Sequence, residues 1–454
     1  MKSIALIKSR ASGEFWRKLV RPEVIFLCGT CQGLFPYLVW RIGGLNPDYP
    51  YDVCYIPAVI YGAGYLAFLG GSLLIRQKSR KAHSPGTLDP KLTRRALVLL
   101  FGFAAVQFFF AVQAYGGLPL LGYWEGSVDV GEVNARQSET GFGQLGLLTL
   151  TTFLISAAML VLIVQPGAPR PVLRLLFVSY LILAWLITSM AGKRQGFLMC
   201  IFILLAGISV RGVNPVQTIL RLLGVAEPFA RARLMRIFAI LLGVLFVLVY
   251  VGTMGALRTG AGKFAIGISG ITLYMEVPLI NFEYQCGLIA FGPYIFSIPD
   301  LLLGLLPYRL IELLGGGTGR EEILYPEPTA SAGIYGPLHF YTGLWGCLVF
   351  AFVLGVFCKF AYVRARTNDL FLLIYAQCSW ALFVTHSFNL FLILLYVPAP
   401  LVAFTCFYWA VKFVQSTRRI KPRDRFAGPI TEHVRSRTGT LQRRPWLEND
   451  RKPN

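Results

Sequence analysis

Two cations occupy a short turn between two apolar stretches of the chain. Lys193 and Arg194 follow Ala191 and Gly192, and each flanking stretch is only about 16 to 17 residues long, close to the minimum for a membrane-spanning helix. An unpaired Arg within hydrocarbon costs on the order of 2.5 to 3.5 kcal/mol, so a compensating ligand is favoured. Because a guanidinium binds phosphate through paired hydrogen bonds, we predict a phosphate site here. The alternative is that both side chains reach lipid headgroups and only anchor the turn.

Two further loops carry cations that can act with this turn. Arg258 lies in a glycine-bounded loop that lets a ligand approach the backbone closely, and Lys263 follows it. Arg136 lies in a third loop, between Glu132 and Glu139. Three arginines on separate loops can enclose one diphosphate. Arg136 can equally form an ion pair with a neighbouring acid, so both interpretations stay open.

A hydroxyl group that acts as a nucleophile needs a base to accept its proton. His339 is the first candidate, because an unperturbed imidazole titrates near neutral pH, and Glu132 and Glu139 follow. The alternative is that His339 is structural, since it stands among aromatic residues. Tyr274, Tyr335 and Tyr341 offer ring faces and hydroxyl groups to a ligand, or form an aromatic belt at the membrane surface.

The elements that must position these residues are apolar helices. The chain has 454 residues, of which 55% are hydrophobic, and the apolar residues fall into blocks long enough to cross a bilayer. The predicted spans are 22–40, 55–75, 96–114, 145–164, 175–191, 195–210, 237–254, 338–358, 370–389 and 391–411. The sequence therefore predicts an all-α integral membrane protein with ten transmembrane helices, or twelve if 268–314 crosses the membrane as well.

The positive charge of the chain is a topology signal. The 43 Lys and Arg residues outnumber the 22 Asp and Glu residues and give a net charge of +21. With the N-terminus inside, about 35 of these cations fall in inward segments and about 8 in outward ones, the bias that sets helix orientation. We therefore predict that both termini are cytoplasmic, that the basic turns contact anionic membrane lipids, and that the chain binds no nucleic acid.

The predicted organisation has three parts. They are a basic cytoplasmic N-terminus over 1–21, a polytopic domain over 22–411 with outward loops 116–144 and 255–337, and a basic tail over 412–454 that we expect to be disordered. The interval 268–314 is apolar but broken by prolines, which favours helices lying on the outer leaflet. A short interfacial helix is expected over 216–223.

Several motifs are absent from the sequence. There is no HExxH, no Ser-centred nucleophile elbow, no P-loop, and no inward Asp-x-Asp that would hold a metal and a nucleotide sugar. We therefore expect no nucleotide-driven reaction on the inward side, and no cofactor is predicted.

Taken in order, the outward motifs resemble the oligosaccharide repeat unit polymerases, the Wzy-type O-antigen and exopolysaccharide polymerases. The motifs are the Arg136 loop, the turn Ser189–Arg194, the Arg258 loop, Tyr274-x-x-x-Pro278, and Pro328-Thr329-x(3)-Gly333-x-Tyr335-x(7)-Gly343-x-x-Gly346. The resemblance spans about 116–413. It departs where the family often has an acidic or amide residue two positions before the first glycine of Gly-x-x-Gly, because this chain has Tyr341-Thr342 there.

The resemblance implies a GT-C-like helical bundle in a bacterial inner membrane, with a metal-independent active site on the periplasmic face. The implied reaction moves a growing glycan from undecaprenyl diphosphate onto a new lipid-linked repeat unit. Arg194 and Arg258 would hold the donor diphosphate, and Arg136 would hold the acceptor diphosphate or a sugar. The implied substrate-binding residues are Lys193, Lys263 and Thr329 with the three tyrosines, whose rings and hydroxyl groups would face the sugars. A chain-length regulator protein is an implied partner whose presence the sequence leaves open.

Two alternatives remain at this point. An O-antigen ligase shares the architecture and the outward arginines but transfers glycan to a lipid A core, and so contributes to lipopolysaccharide. A transporter or flippase of lipid-linked oligosaccharides would need polar residues along a path through the membrane. The sequence concentrates its unusual charges on one side instead, which favours the polymerase.

Overall fold

The computed structural model describes residues 13–43, 55–75, 86–114, 144–165, 170–190, 194–223, 279–287, 290–293, 333–385, 391 and 397–420. This part of the chain is helical and contains no strand. The helices are α1 (Pro22–Gly43), α2 (Ile56–Leu74), α3 (Pro90–Ala114), α4 (Gln144–Val164), α5 (Arg170–Met190), α6 (Arg194–Val210), α7 (Pro215–Leu222), α8 (Gly336–Ala365), α9 (Asp369–Phe383) and α10 (Pro398–Ile420). Residues 13–19 and 279–287 are also helical.

Within the described residues, four helices are long and apolar enough to cross a membrane. These segments are Ile56–Leu74, Pro90–Gln113, Gly146–Val164 and Gly336–Ala365. Large apolar side chains stand outward from them, and Leu73 and Trp345 are each 77% exposed. Such surfaces are unfavourable in water and suited to hydrocarbon. The protein is therefore a helical membrane protein, which confirms the predicted class at this level.

Most predicted spans correspond to observed helices, but three boundaries near the C-terminus are wrong. The span predicted over 370–389 ends at Phe383, and the last one begins at Pro398 and continues to Ile420 instead of covering 391–411. Apolar residues continue in the sequence between these two helices, so hydropathy alone cannot place the helix ends, whereas proline in a first helical turn can. The tail predicted from 412 accordingly begins as helix. The span over 237–254 lies outside the described residues.

The ends of the helices gather at two opposite ends of the bundle. The ring of Tyr61 in α2 contacts that of Tyr335 at the start of α8, and further along both helices the Phe68 carbonyl lies against Gly355. These helices are therefore parallel. The opposite end of the bundle, where α3 and α9 begin and α4 and α6 end, gathers the basic turns and is called the basic end below.

A buried ion pair joins four helices at the basic end. Arg211, just after α6, pairs with Asp369 at the start of α9. The Asp369 Oδ2 atom also accepts from the Leu88 amide at 2.8 Å, and Gln165 donates to the Leu88 carbonyl at 2.9 Å. Burial lowers the pKa of the Arg211 guanidinium below its usual value, and the facing Asp369 carboxylate offsets part of that shift. The pair ties the starts of α3 and α9 to the ends of α4 and α6.

Candidate functional site

The structure describes only part of the predicted site. His339, Tyr335 and Tyr341 lie at the start of α8, and Arg194 is the first residue of α6, where its backbone is described. The remaining predicted site residues lie outside the described residues. They are Glu132, Arg136, Glu139, Lys193, Arg258, Lys263, Tyr274 and Thr329.

The start of α8 brings Tyr335 and His339 onto one face. Tyr335 is the residue that precedes the helix, and its carbonyl accepts from the His339 amide at 2.7 Å. Residues four apart on a helix lie one above the other. Both side chains are fully buried, although sequence patterning alone would place them at a membrane surface.

His339 contacts the helical segment 279–287. The Gln285 Nε2 atom lies 3.4 Å from His339 Nδ1 and donates to the Gly336 carbonyl at 2.9 Å. The edge of the Phe282 ring meets the imidazole, with ring centroids 5.4 Å apart. A carbonyl oxygen can only accept a hydrogen bond, so the Gln285 atom that contacts the Gly336 carbonyl is assigned as the amide nitrogen. The same nitrogen faces His339 Nδ1, which therefore acts as acceptor. A neutral imidazole in this arrangement carries its proton on Nε2.

Tyr335 inserts against α2. Its ring meets Tyr61 edge to face at 4.9 Å between centroids, and its hydroxyl lies so close to Gly64 that a Cβ atom there would be 2.1 Å away. The Tyr61 hydroxyl in turn donates to the Thr385 carbonyl at 3.4 Å. Glycine at this position of α2 is therefore what admits the phenol. We call Tyr61, Phe282, Gln285, Tyr335 and His339 the Tyr335 cluster.

Three polar atoms of the Tyr335 cluster have no hydrogen-bond partner of good geometry in the described part of the chain. They are the Tyr335 hydroxyl, the Gln285 Oε1 atom and His339 Nε2, and the Ala290 backbone lies beside the His339 ring. A buried polar group left without a partner costs roughly 1 to 3 kcal/mol, and a bound ligand is one explanation for such a group. One hydroxyl and one ring nitrogen at a single helix start can bind an oxygen-rich ligand, such as a sugar or a phosphate ester.

α8 is broken just after these residues. Gly343 has φ of +63° and ψ of −163°, so the helix kinks there. The Leu344 amide donates to the Phe291 carbonyl at 3.0 Å, which seats the segment 290–293 in the break. The first glycine of the Gly-x-x-Gly motif thus orients the turn that holds His339 and the half-buried Tyr341.

The cationic turn has the predicted position between two helices. α5 ends at Met190 and α6 begins at Arg194, which agrees with the predicted spans to within one residue at this turn. α6 packs on α9, with the rings of Phe202 and Phe383 stacked at 4.8 Å. Because α6 ends at the basic end, Arg194 lies at the opposite end, the same end as the Tyr335 cluster.

No protein-family model, curated protein or solved structure matches this chain. Its function must therefore be argued from its own residues.

Sequence reasoning missed three members of the Tyr335 cluster, which are Tyr61, Phe282 and Gln285. Tyr61 lies in an apolar span where nothing marks it as different from other tyrosines. Gln285 carried a usable signal, because it is an amide within the apolar interval 268–314, next to a buried Glu283. A buried polar residue in such an interval predicts a specific partner.

Proposed function

We propose that this protein is a glycosyltransferase of the bacterial inner membrane that polymerises undecaprenyl-diphosphate-linked oligosaccharide repeat units. The observation that carries the proposal is that Arg194 and the Tyr335 cluster lie at one end of the helical bundle, opposite the basic end. A cation at a helix start and buried donors without partners are the two components needed to hold a phosphate and a sugar.

The phosphate side of the site rests on Arg194. The first amides of a helix have no partner within the helix, and the helix dipole favours an anion there. The positive charge of an arginine at this position is unfavourable beside the positive end of the helix dipole. In the proposal, a diphosphate between the guanidinium and the α6 amides pairs with the arginine charge and accepts from the amides, and Lys193 and Arg258 complete its binding.

The proposed reaction is a substitution at the anomeric carbon of the donor glycan. The acceptor hydroxyl oxygen forms a bond to that carbon, and the bond from the carbon to the diphosphate oxygen breaks. The hydroxyl proton passes to a base, and undecaprenyl diphosphate leaves. Fixed arginine donors stabilise the charge that develops on the diphosphate, which is the largest contribution expected in a poorly hydrated site. Arg136 binds the acceptor diphosphate or a sugar.

His339 can serve this reaction in two ways. With Gln285 donating to Nδ1, the imidazole Nε2 donates a hydrogen bond to a sugar oxygen and positions it. To act as the base at Nε2, the ring must instead carry its proton on Nδ1, which requires the Gln285 amide to rotate and leave Gly336. Glu132 and Glu139 remain the other candidate bases.

The proposed topology has ten transmembrane helices with both termini in the cytoplasm. The basic end is then cytoplasmic, in accord with the inward bias of Lys and Arg. Arg194 and the Tyr335 cluster accordingly face the periplasm, where lipid-linked repeat units are available after translocation.

The length distribution of lipid-linked glycan in cells tests the proposal. Arg194→Ala is compared with Arg221→Ala, which removes an exposed cation at the end of α7, at matched membrane levels. We expect single repeat units to accumulate with Arg194→Ala, because the donor diphosphate is lost, and long chains to persist with Arg221→Ala.

The other outcomes separate the alternatives. Long lipid-linked chains that persist but are not transferred indicate an O-antigen ligase. Repeat units that accumulate on the cytoplasmic face indicate a transporter. An unchanged distribution leaves Arg194 as an anchor of its turn and contradicts the proposal.

A further inference from the structure

A cavity of about 610 Å³ opens at the basic end. It lies between the start of α3, the end of α4, the first turns of α5 and the last turns of α10. Its volume falls within the range of about 300 to 1,000 Å³ that is usual for small-molecule sites. The cavity is at the opposite end of the bundle from the Tyr335 cluster and plays no part in the proposed reaction.

One wall of the cavity is cationic. Lys91 and Arg94 line it from the first turns of α3, three residues apart and therefore on neighbouring positions of one face. Asp89 also lines it, but its Oδ1 atom accepts from the Lys91 amide at 2.7 Å and caps the helix. Two cations and one carboxylate leave the lining with a charge of +1. In the described part of the chain, neither the Lys91 nor the Arg94 side chain forms a hydrogen bond or ion pair.

The rim of the cavity holds a further cation. Lys412 of α10 donates to the carbonyl of Thr87, a lining residue, at 2.6 Å. Gln415, one turn further along α10, lines the cavity with a buried side-chain oxygen that has no hydrogen-bond partner in the described residues. The polar wall thus offers positive charge for an anion and one acceptor for a hydroxyl group.

The opposite wall is apolar. Leu173 and Leu176 of α5 line it, and the outer face of the same helix continues with exposed apolar residues, including Leu175 and Ile182. This face adjoins the hydrocarbon when the helix is in a membrane. A dissolved anion makes no use of such a wall, whereas a lipid places its phosphate on the cations and its chain along the leucines.

We propose that this cavity binds an anionic phospholipid whose headgroup carries a hydroxyl group. The phosphate lies between Lys91 and Arg94, the headgroup hydroxyl donates to Gln415, and an acyl chain packs on Leu173 and Leu176. The bound lipid joins α3, α4, α5 and α10 at the membrane surface.

Native mass spectrometry of the purified full chain tests this proposal, with dioleoylphosphatidylglycerol and dioleoylphosphatidylcholine as probes. The double variant Lys91→Gln/Arg94→Gln is compared with Arg95→Gln, which removes an exposed cation of the same helix that does not line the cavity. We expect the wild type and Arg95→Gln to retain phosphatidylglycerol preferentially. The double variant should lose at least about tenfold in affinity for it, because each cation near a lipid phosphate contributes.

A second variant distinguishes loss of lipid binding from a general loss of folding, and competition with inorganic phosphate distinguishes a lipid phosphate from a free one. Leu176→Trp fills the apolar wall and keeps both cations, so it should weaken phosphatidylglycerol binding without changing thermal unfolding. Equal retention of both lipids, undiminished binding by the double variant, or displacement of phosphatidylglycerol by millimolar inorganic phosphate would overturn the proposal.

Discussion

Removing the hydroxyl group of Tyr335 tests whether that group binds a ligand or stabilises the fold. The hydroxyl is buried without a partner in the described part of the chain, so Tyr335→Phe removes a group that costs free energy in the ligand-free protein. We expect the thermal unfolding temperature to stay unchanged or rise, while long lipid-linked glycan is lost. Thermal unfolding in detergent and glycan length in cells measure the two effects.

The matched control has the opposite signature. The Tyr362 hydroxyl donates to the Arg17 carbonyl at 2.9 Å at the basic end, so Tyr362→Phe should destabilise the protein by about 0.5 to 1.5 kcal/mol and leave glycan length unchanged. If Tyr335→Phe lowers stability as Tyr362→Phe does, its hydroxyl serves the fold.

Gly64 tests how tightly Tyr335 is held. A Cβ atom at Gly64 would lie 2.1 Å from the Tyr335 hydroxyl, whereas one at Gly62 of the same helix meets nothing within 4 Å. We expect Gly64→Ala to destabilise by about 1 to 3 kcal/mol through overpacking, and Gly62→Ala to be neutral or slightly stabilising. Thermal unfolding checks both, and equal behaviour of the two variants would contradict the close contact.

At the scale of elements, the kink in α8 is a second specific requirement. Ala at Gly343 would have to adopt φ near +63° with its Cβ 2.9 Å from the Phe291 carbonyl, so we expect Gly343→Ala to cost about 1 to 3 kcal/mol. Gly102 of α3 has ordinary helical surroundings and open space. Gly102→Ala should therefore stabilise by about 0.5 to 1 kcal/mol. Thermal unfolding in detergent measures both, and the two substitutions should change stability in opposite directions.

The helices themselves were largely predictable, and the contacts at their ends were not. Hydropathy predicts α2, α4 and α6 to within a residue or two, because each is an apolar run bounded by polar or glycine-rich sequence. It fails between α9 and α10, where the apolar sequence continues without a break. The Tyr335 cluster was not predictable either, since Gln285 and His339 are separated by 54 residues in the chain and only packing brings them together.

At the scale of the whole molecule, the buried Arg211–Asp369 pair holds the basic end together. Asp369→Asn leaves the largely buried Arg211 guanidinium without its counter-charge, and we expect a loss of about 3 to 5 kcal/mol. The exposed pair between Arg17 and Glu14 at 3.1 Å supplies the control, because Glu14→Gln should change stability by less than about 1 kcal/mol. Chemical unfolding in mixed micelles compares the two. Similar small effects would mean that the bundle does not depend on this pair.

The orientation of the two ends decides on which side of the membrane the proposed chemistry occurs. The α8–α9 connection lies at the basic end and the α5–α6 connection at the other. Basic segments are retained in the cytoplasm. A reporter enzyme that works only in the cytoplasm should therefore be active when fused after Thr367 and inactive after Gly192. A reporter enzyme that works only in the periplasm should show the opposite result. The reverse pattern would put Arg194 and the Tyr335 cluster in the cytoplasm, where translocated repeat units are absent, and the polymerase proposal would fail even if both sites bind as described.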